Sequence, residues 1–271
     1  MYTVTRYPHG AFCWADLSTH GGEAAVDFYR QLMGWESETQ DTVFGTIYTT
    51  FSQDGHRIAG LAWLPPEMSE IPSAWNNYVS VDDVDALLPT VTEGGGQIIQ
   101  PPFDVPEGAR IAVIVDPAGA ALCLFQARGN IGTTLVNTPG ALCWNELYTA
   151  DPEASKAFYG ALLGWEFQDS RDGEDGSPGY VSIYNRGRAN GGMLVMDEGM
   201  AANVPPMWVP YFSVADVAAA TEQVKSTGGK IIMGPQEEGG VGRWLLFFDP
   251  QGASCYVVQL DRPEPWLEHR S

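Results

Sequence analysis

Phe12-Cys13-Trp14-Ala15-Asp16-Leu17 and Leu142-Cys143-Trp144-Asn145-Glu146-Leu147 are two versions of one strand, 130 residues apart. Outward from them, Phe28-Tyr29 with Leu32-Met33-Gly34-Trp35-Glu36 returns at the same spacing as Phe158-Tyr159 with Leu162-Leu163-Gly164-Trp165-Glu166. Farther along, the spacing becomes 133: Trp75 answers Trp208, Tyr78-Val79-Ser80-Val81 answers Tyr211-Phe212-Ser213-Val214, and Arg110 answers Arg243. Asp116-Pro117-x-Gly119-Ala120 likewise answers Asp249-Pro250-x-Gly252-Ala253. Matches in one order, with a small drift absorbed in loops, mark a duplication, and each copy is too long for a solenoid unit, so each is a domain.

Within a copy the pattern repeats again. Ala11–Leu17 alternates as a strand. Ala25, Phe28, Tyr29 and Leu32 share one face of a helix over Glu23–Met33, which Gly34 terminates. In the second copy, Asp151, Pro152 and Glu153 are a cap, a first-turn proline and a first-turn acid. Val43–Phe51 and Arg57–Leu64 read as a hairpin around Asp54-Gly55. The next unit offers a strand at Asn76–Val81, a helix at Val84–Glu93 bent by Pro89, and strands at Gln97–Ile99, Ile111–Val115 and Ala121–Gln126. Each unit has about 68 residues, suited to one helix and four strands. The chain thus divides into a domain at 1–127 (modules 11–66 and 75–127), a linker at 128–138, and a domain at 139–271 (modules 140–205 and 207–260). Such modules cannot bury both faces of a sheet alone, so curved sheets are expected to enclose a concave pocket.

Composition narrows the function. With 34 acidic against 14 basic residues, the net charge is −20 among 271 residues. That excludes a phosphate-binding basic stripe and disfavours an anionic membrane as partner. No apolar run is long enough to span a bilayer, and the N-terminus lacks a signal-peptide core, so a cytoplasmic address is expected. Cys13, Cys123, Cys143 and Cys255 are too dispersed for a disulfide framework or a CxxC zinc site. Gly94-Gly95-Gly96 follows a helix rather than opening one, which makes it a helix end and not a phosphate loop. The acidic run from Asp169 to Asp175 reads as a solvated hairpin loop.

The FY…LGW helix end and the Asp-Pro-x-Gly hairpin resemble the vicinal oxygen chelate superfamily, which includes glyoxalase I, bleomycin-resistance proteins and extradiol dioxygenases. The resemblance spans about Ala11 to Leu260. It is closest to a tandem actinobacterial branch labelled glyoxalase-like or hydroxylase, whose linker is matched by Ile131 to Asn137. It implies an α+β fold of two tandem vicinal-oxygen-chelate domains, each of two βαβββ modules forming a cupped eight-stranded half-barrel. Activity does not follow, because this fold hosts metal-dependent isomerases, dioxygenases, lyases and metal-free binders alike.

Metal-using relatives place His, Gln or Glu on the first and last strands of each module. Here those positions carry Trp14, Trp144, Cys123 and Tyr256. The four histidines, His9, His20, His56 and His269, show no ligand spacing. A divalent site needs about three or four converging His or carboxylate groups, so no metal and no other cofactor is expected.

Strand alternation puts Asp16 on the face of Trp14, and Glu146 on the face of Trp144. A buried carboxylate must be paired, hydrogen-bonded or protonated. Asp16 and Glu146 are therefore either acid/base or ligand-anchoring groups, or structural carboxylates held by backbone amides or by Arg110 and Arg243. Trp14, Trp63, Trp75, Trp144 and Trp208, with Asn77, Cys123 and Tyr256, are the candidate ligand-binding residues, although core packing would equally account for indoles. Two function classes lead: a binder of a small aromatic or apolar metabolite in a Trp-lined cup, or an enzyme of the same superfamily, metal-dependent or using Asp16 or Glu146 as acid/base. A weaker third is a protein with vestigial pockets that works through its surface in protein–protein contact. A small molecule is the expected partner, for a monomer or a homodimer.

Overall fold

A computed structural model describes residues 2–106, 108–169 and 179–262. β1 (Tyr2–Thr3) opens it. The first copy supplies β2 (Phe12–Thr19), α1 (Glu23–Met33), β3 (Glu36–Asp41), β4 (Ile47–Gln53), β5 (His56–Trp63), β6 (Ala74–Ser80), α2 (Val84–Glu93), β7 (Gln97–Val105), β8 (Ala109–Val115) and β9 (Ala121–Ala127). β10 (Leu135–Val136), in the expected linker, pairs antiparallel with β1. The second copy supplies β11 (Leu142–Thr149), α3 (Pro152–Leu163), β12 (Glu166–Asp169), β13 (Tyr180–Asn185), β14 (Arg188–Val195), the short α4 (Glu198–Ala201), β15 (Met207–Ser213), α5 (Val217–Ser226), β16 (Lys230–Glu238), β17 (Gly242–Phe248) and β18 (Ser254–Leu260).

The strands form two eight-stranded sheets, ordered β3-β4-β5-β2-β6-β9-β8-β7 and β12-β13-β14-β11-β15-β18-β17-β16. The two modules of a copy therefore join within that copy, antiparallel through β2–β6 and β11–β15. The helices behave differently. α1 packs with Val217, Ala220 and Val224 of α5 in a core that takes Leu17, Phe51 and Leu61 from one sheet and Leu245, Phe247 and Val257 from the other. α2 and α3 share the companion core, with Ile114 and Leu122 on one side and Ile183 and Met193 on the other. Four helices thus form one layer between the helix-facing sides of two sheets, and the opposite, cupped faces look outward.

Local chemistry explains the helix ends. Gly34 and Gly164 take left-handed conformations at φ 72° and 69°, where a side chain would be strained. Asp83, Asp151 and Asp216 accept the first backbone N–H groups of α2, α3 and α5. The Asp-Pro-x-Gly turns reach across the helix layer. Asp116 accepts from the backbone N–H groups of Gly119 and Ala120 and, at 3.1 Å, from the phenol of Tyr159 on α3. Asp249 accepts from the backbone of Gln251 and Ala253 and, at 3.0 Å, from the phenol of Tyr29 on α1. Each phenol in turn accepts an indole N–H, from Trp208 at 2.9 Å and from Trp75 at 3.0 Å.

Two expectations need correction, and a third cannot be placed. β3 precedes the expected hairpin, and Val43 and Phe44 lie in the exposed turn after it. β3 is an edge strand exposed along most of its length, so no alternating apolar pattern announced it. β7 runs on to Val105, because register shifts between Ile98 and Gln100 and between Gln100 and Phe103 accommodate Pro101-Pro102. The acidic run from Asp169 to Asp175 lies, beyond Asp169, outside the described residues.

Candidate functional site

Each outward face centres on one buried carboxylate. In the first cup, Asp16 sits on β2 opposite Asn76 on β6 and Gly60 on β5. Its Oδ1 accepts from Asn76 Nδ2 at 2.8 Å, and its Oδ2 accepts from the phenols of Tyr78 at 2.9 Å and Tyr48 at 3.1 Å. Tyr48 Oη itself accepts the Trp14 indole N–H at 3.3 Å. Burial pushes the Asp16 carboxyl above its usual range, and the bonds from Asn76, Tyr78 and Tyr48 pull it partly back. Around it lie Cys123, Ile111, Phe125 and Phe103.

The second cup repeats the plan with different chemistry. Glu146 on β11 stands opposite Val209 and Gly192, so it lacks the amide that Asn76 gives Asp16. Tyr211 donates to Glu146 Oε1 at 3.0 Å, and Tyr180 also bonds it. Trp144 donates its indole N–H to Tyr180 at 3.2 Å. Burial first, with a smaller push from Glu238 against the pull of the two phenols, raises the Glu146 carboxyl to about 7. Tyr211 stacks on Tyr256 with ring centroids 3.9 Å apart and planes within 5°, and the Tyr256 and Tyr148 hydroxyls share a hydrogen bond.

A glycine makes room for each phenol. A Cβ built on Gly60 would collide with the Tyr48 hydroxyl, and one on Gly192 with the Tyr180 hydroxyl. Only a bare backbone lets the ring lie over the strand and reach the carboxylate two strands away.

Of the residues singled out in the sequence, Trp14, Asp16 and Cys123 fall in the first cup, and Trp144, Glu146 and Tyr256 in the second. Trp75 and Trp208 do not line a cup. They are 6% and 4% exposed in the helix layer, bonded to Tyr29 and Tyr159 as described. Asn77 also faces that layer and donates to the Trp208 carbonyl at 3.0 Å, because the face of β6 that meets Asp16 carries Asn76 and Tyr78 instead. Trp63, at the end of β5, packs against the first core and over Gly22. The carboxylate partners are phenols and an amide rather than arginine: Arg110 pairs with Asp85 and Asp104. Tyr48 and Tyr180 escaped the sequence reading, although their 132-residue spacing, shared by Gly60 and Gly192, was available as a signal.

Two mixed, cupped sheets built from four βαβββ modules define the vicinal-oxygen-chelate class. The chain belongs to the Glyoxalase/Bleomycin resistance protein/Dioxygenase superfamily, whose profile matches residues 14–124 and again 141–254. It is 37% identical over 257 residues to the Mycobacterium tuberculosis (strain CDC 1551 / Oshkosh) protein named "Putative glyoxylase CFP32", covering 94% of this chain and 97% of that protein. It is 32% identical over 274 residues to the anthracycline biosynthesis protein DnrV of Streptomyces peucetius, covering 97% and 98%. Among solved structures, 2,2',3-trihydroxybiphenyl 1,2-dioxygenase from Sphingomonas wittichii strain RW1 superposes with a TM-score of 0.66 at 14% identity, covering 97% of this chain and 95% of that one.

The metal chemistry of this superfold does not suit the residues present. Both oxygens of Asp16 already accept N–H or O–H bonds, and its neighbour Cys123 is a thiol that burial holds protonated. Among the described residues, no three His, Cys, Asp or Glu side chains converge. His9, His20 and His56 engage the Asp82 backbone N–H, the Ile71 carbonyl and the Thr134 hydroxyl, away from both cups.

Proposed function

We propose that the protein binds a small planar aromatic metabolite in its cups without a catalytic metal. The observation that carries this reading is the indole–phenol–carboxylate chain built twice, Trp14–Tyr48–Asp16 and Trp144–Tyr180–Glu146. It offers aromatic faces for stacking and polar groups able to exchange hydrogen bonds with a ligand's hydroxyl or carbonyl. The similarity to an anthracycline biosynthesis protein supports a fused-ring ligand of that general kind. Calorimetric titration of chelator-treated protein with 1,4-dihydroxyanthraquinone tests it. Saturable binding and a rise in melting temperature are expected. A divalent ion present at about one per cup, whose removal abolishes binding, would overturn the metal-free reading.

The Glu146 carboxyl near 7 favours a second reading, in which this cup performs acid/base chemistry on the ligand it holds. Turnover that Glu146→Gln abolishes while binding persists would establish it. Turnover unaffected by the substitution would rule it out.

A further inference from the structure

The outward face of the first sheet carries two hollows of opposite character. One, of about 580 Å³, is lined by Glu38 and Gln40 on β3, Thr50 and Ser52 on β4, Gly55, Arg57 on β5, and Pro106 across the cup. The other, of about 370 Å³, is lined by Phe44, Gln100, Phe103 and Val113. Phe44, at the tip of the β3–β4 turn, meets Phe103 on β7 edge-to-face at 5.9 Å. The hairpin tip thus reaches over the cup. Phe103 on β7 and Pro106, one residue past its end, are three residues apart, at most about 10 Å of chain, within the span of a fused tricyclic ring system.

Arg57 is the one cation among the described lining residues, and its guanidinium makes no ion pair with another described residue. Neither acid on the facing edge strand closes an ion pair with it: Glu38 pairs in register with Thr50, diagonal to Arg57 across β4, and Glu36 stands two strands away, on the far side of Ser52. At the matching place in the second copy, 132 residues on, stands Ala189. In a chain of charge −20, an unpaired arginine in a cavity is the local exception to a field that repels anions.

We propose that the first cup takes an aromatic acid, its rings in the Phe44–Phe103–Val113 hollow and its carboxylate on Arg57, with Gln40, Thr50 and Ser52 supplying neutral hydrogen bonds. This rests on the reading that the cups bind aromatic ligands, and adds the ligand's charge and its orientation. A planar guanidinium matches a carboxylate through two parallel N–H bonds, which no other lining residue can offer.

The test is calorimetric titration of the full chain with anthraquinone-2-carboxylate and, separately, its neutral carboxamide, on the wild type, Arg57→Gln and Phe44→Ala. The carboxylate is expected to bind the wild type about tenfold tighter than the carboxamide. Arg57→Gln removes that preference and leaves carboxamide affinity unchanged. Phe44→Ala weakens both probes and preserves the preference. Equal binding of the two probes to the wild type, or a preference that survives Arg57→Gln, overturns the proposal and leaves aromatic binding standing. Failure of the carboxylate alone to bind overturns the proposal, and failure of both probes overturns the aromatic-binding reading with it.

Discussion

Replacing Glu146 with glutamine isolates the cost of one buried charge. The carboxyl rises to about 7 from an ordinary 4.5, because burial disfavours its charged form more than the Tyr211 and Tyr180 bonds favour it. The folded chain therefore holds this proton more tightly than the unfolded chain. The resulting stability is fully present below about pH 4.5 and is lost as pH rises through about 7. A displacement of that size corresponds to about 3 kcal/mol. Glutamine keeps an oxygen for both phenols and has no charge to desolvate. Urea unfolding of wild type and Glu146→Gln at fixed ionic strength, at intervals from pH 4.5 to 8, should show the variant gaining on the wild type by about 3 kcal/mol across that range. Asp16, Asp116 and Asp249, which burial also raises, are common to both chains and cancel in the difference. A difference that is flat with pH, or that widens toward acid, would refute the account of Glu146 as a carboxyl governed by desolvation.

Tyr29→Phe should cost about 2–4 kcal/mol, because it removes a donor from buried Asp249 and strands the Trp75 indole N–H. Its coupling with Trp75→Phe, measured by a double-mutant cycle in urea, should be favourable; independent, additive losses would contradict the relay. Gly60→Ala should drive the Tyr48 phenol off Asp16 and Trp14, cost about 2 kcal/mol, and move Asp16 titration further upward in carbon-detected NMR. An unchanged Asp16 titration would show that the phenol does not hold the carboxylate.

Duplication made much of this architecture legible. Two copies of a strand and of an FY…LGW helix end defined the modules, and period-two alternation placed Asp16 with Trp14 and Glu146 with Trp144. Alternation failed at β6, where Asn77 attracted notice but Asn76 and Tyr78 meet the carboxylate. Recurrence misled for Trp75 and Trp208. They recur because each donates to a helix tyrosine that bonds the opposite copy's turn aspartate, a constraint visible only when both copies are assembled. Tyr48 was obscured because its partner is supplied by a strand 32 residues earlier and its space by an absent side chain at Gly60.

The shared helix layer divides labour within the molecule. Nearly all the interlocking contacts that bind the copies together belong to the inner sides of the sheets, so neither copy could be shed or exchanged without stripping the other of half its core. The outer sides carry little of that burden and are free to drift apart under different selection. The contrasts of Asp16 with Glu146, Asn76 with Val209, Cys123 with Tyr256 and Arg57 with Ala189 all fall there. The duplicated unit thereby presents two back-to-back cupped faces on a single frame, each able to change without endangering the fold of its twin.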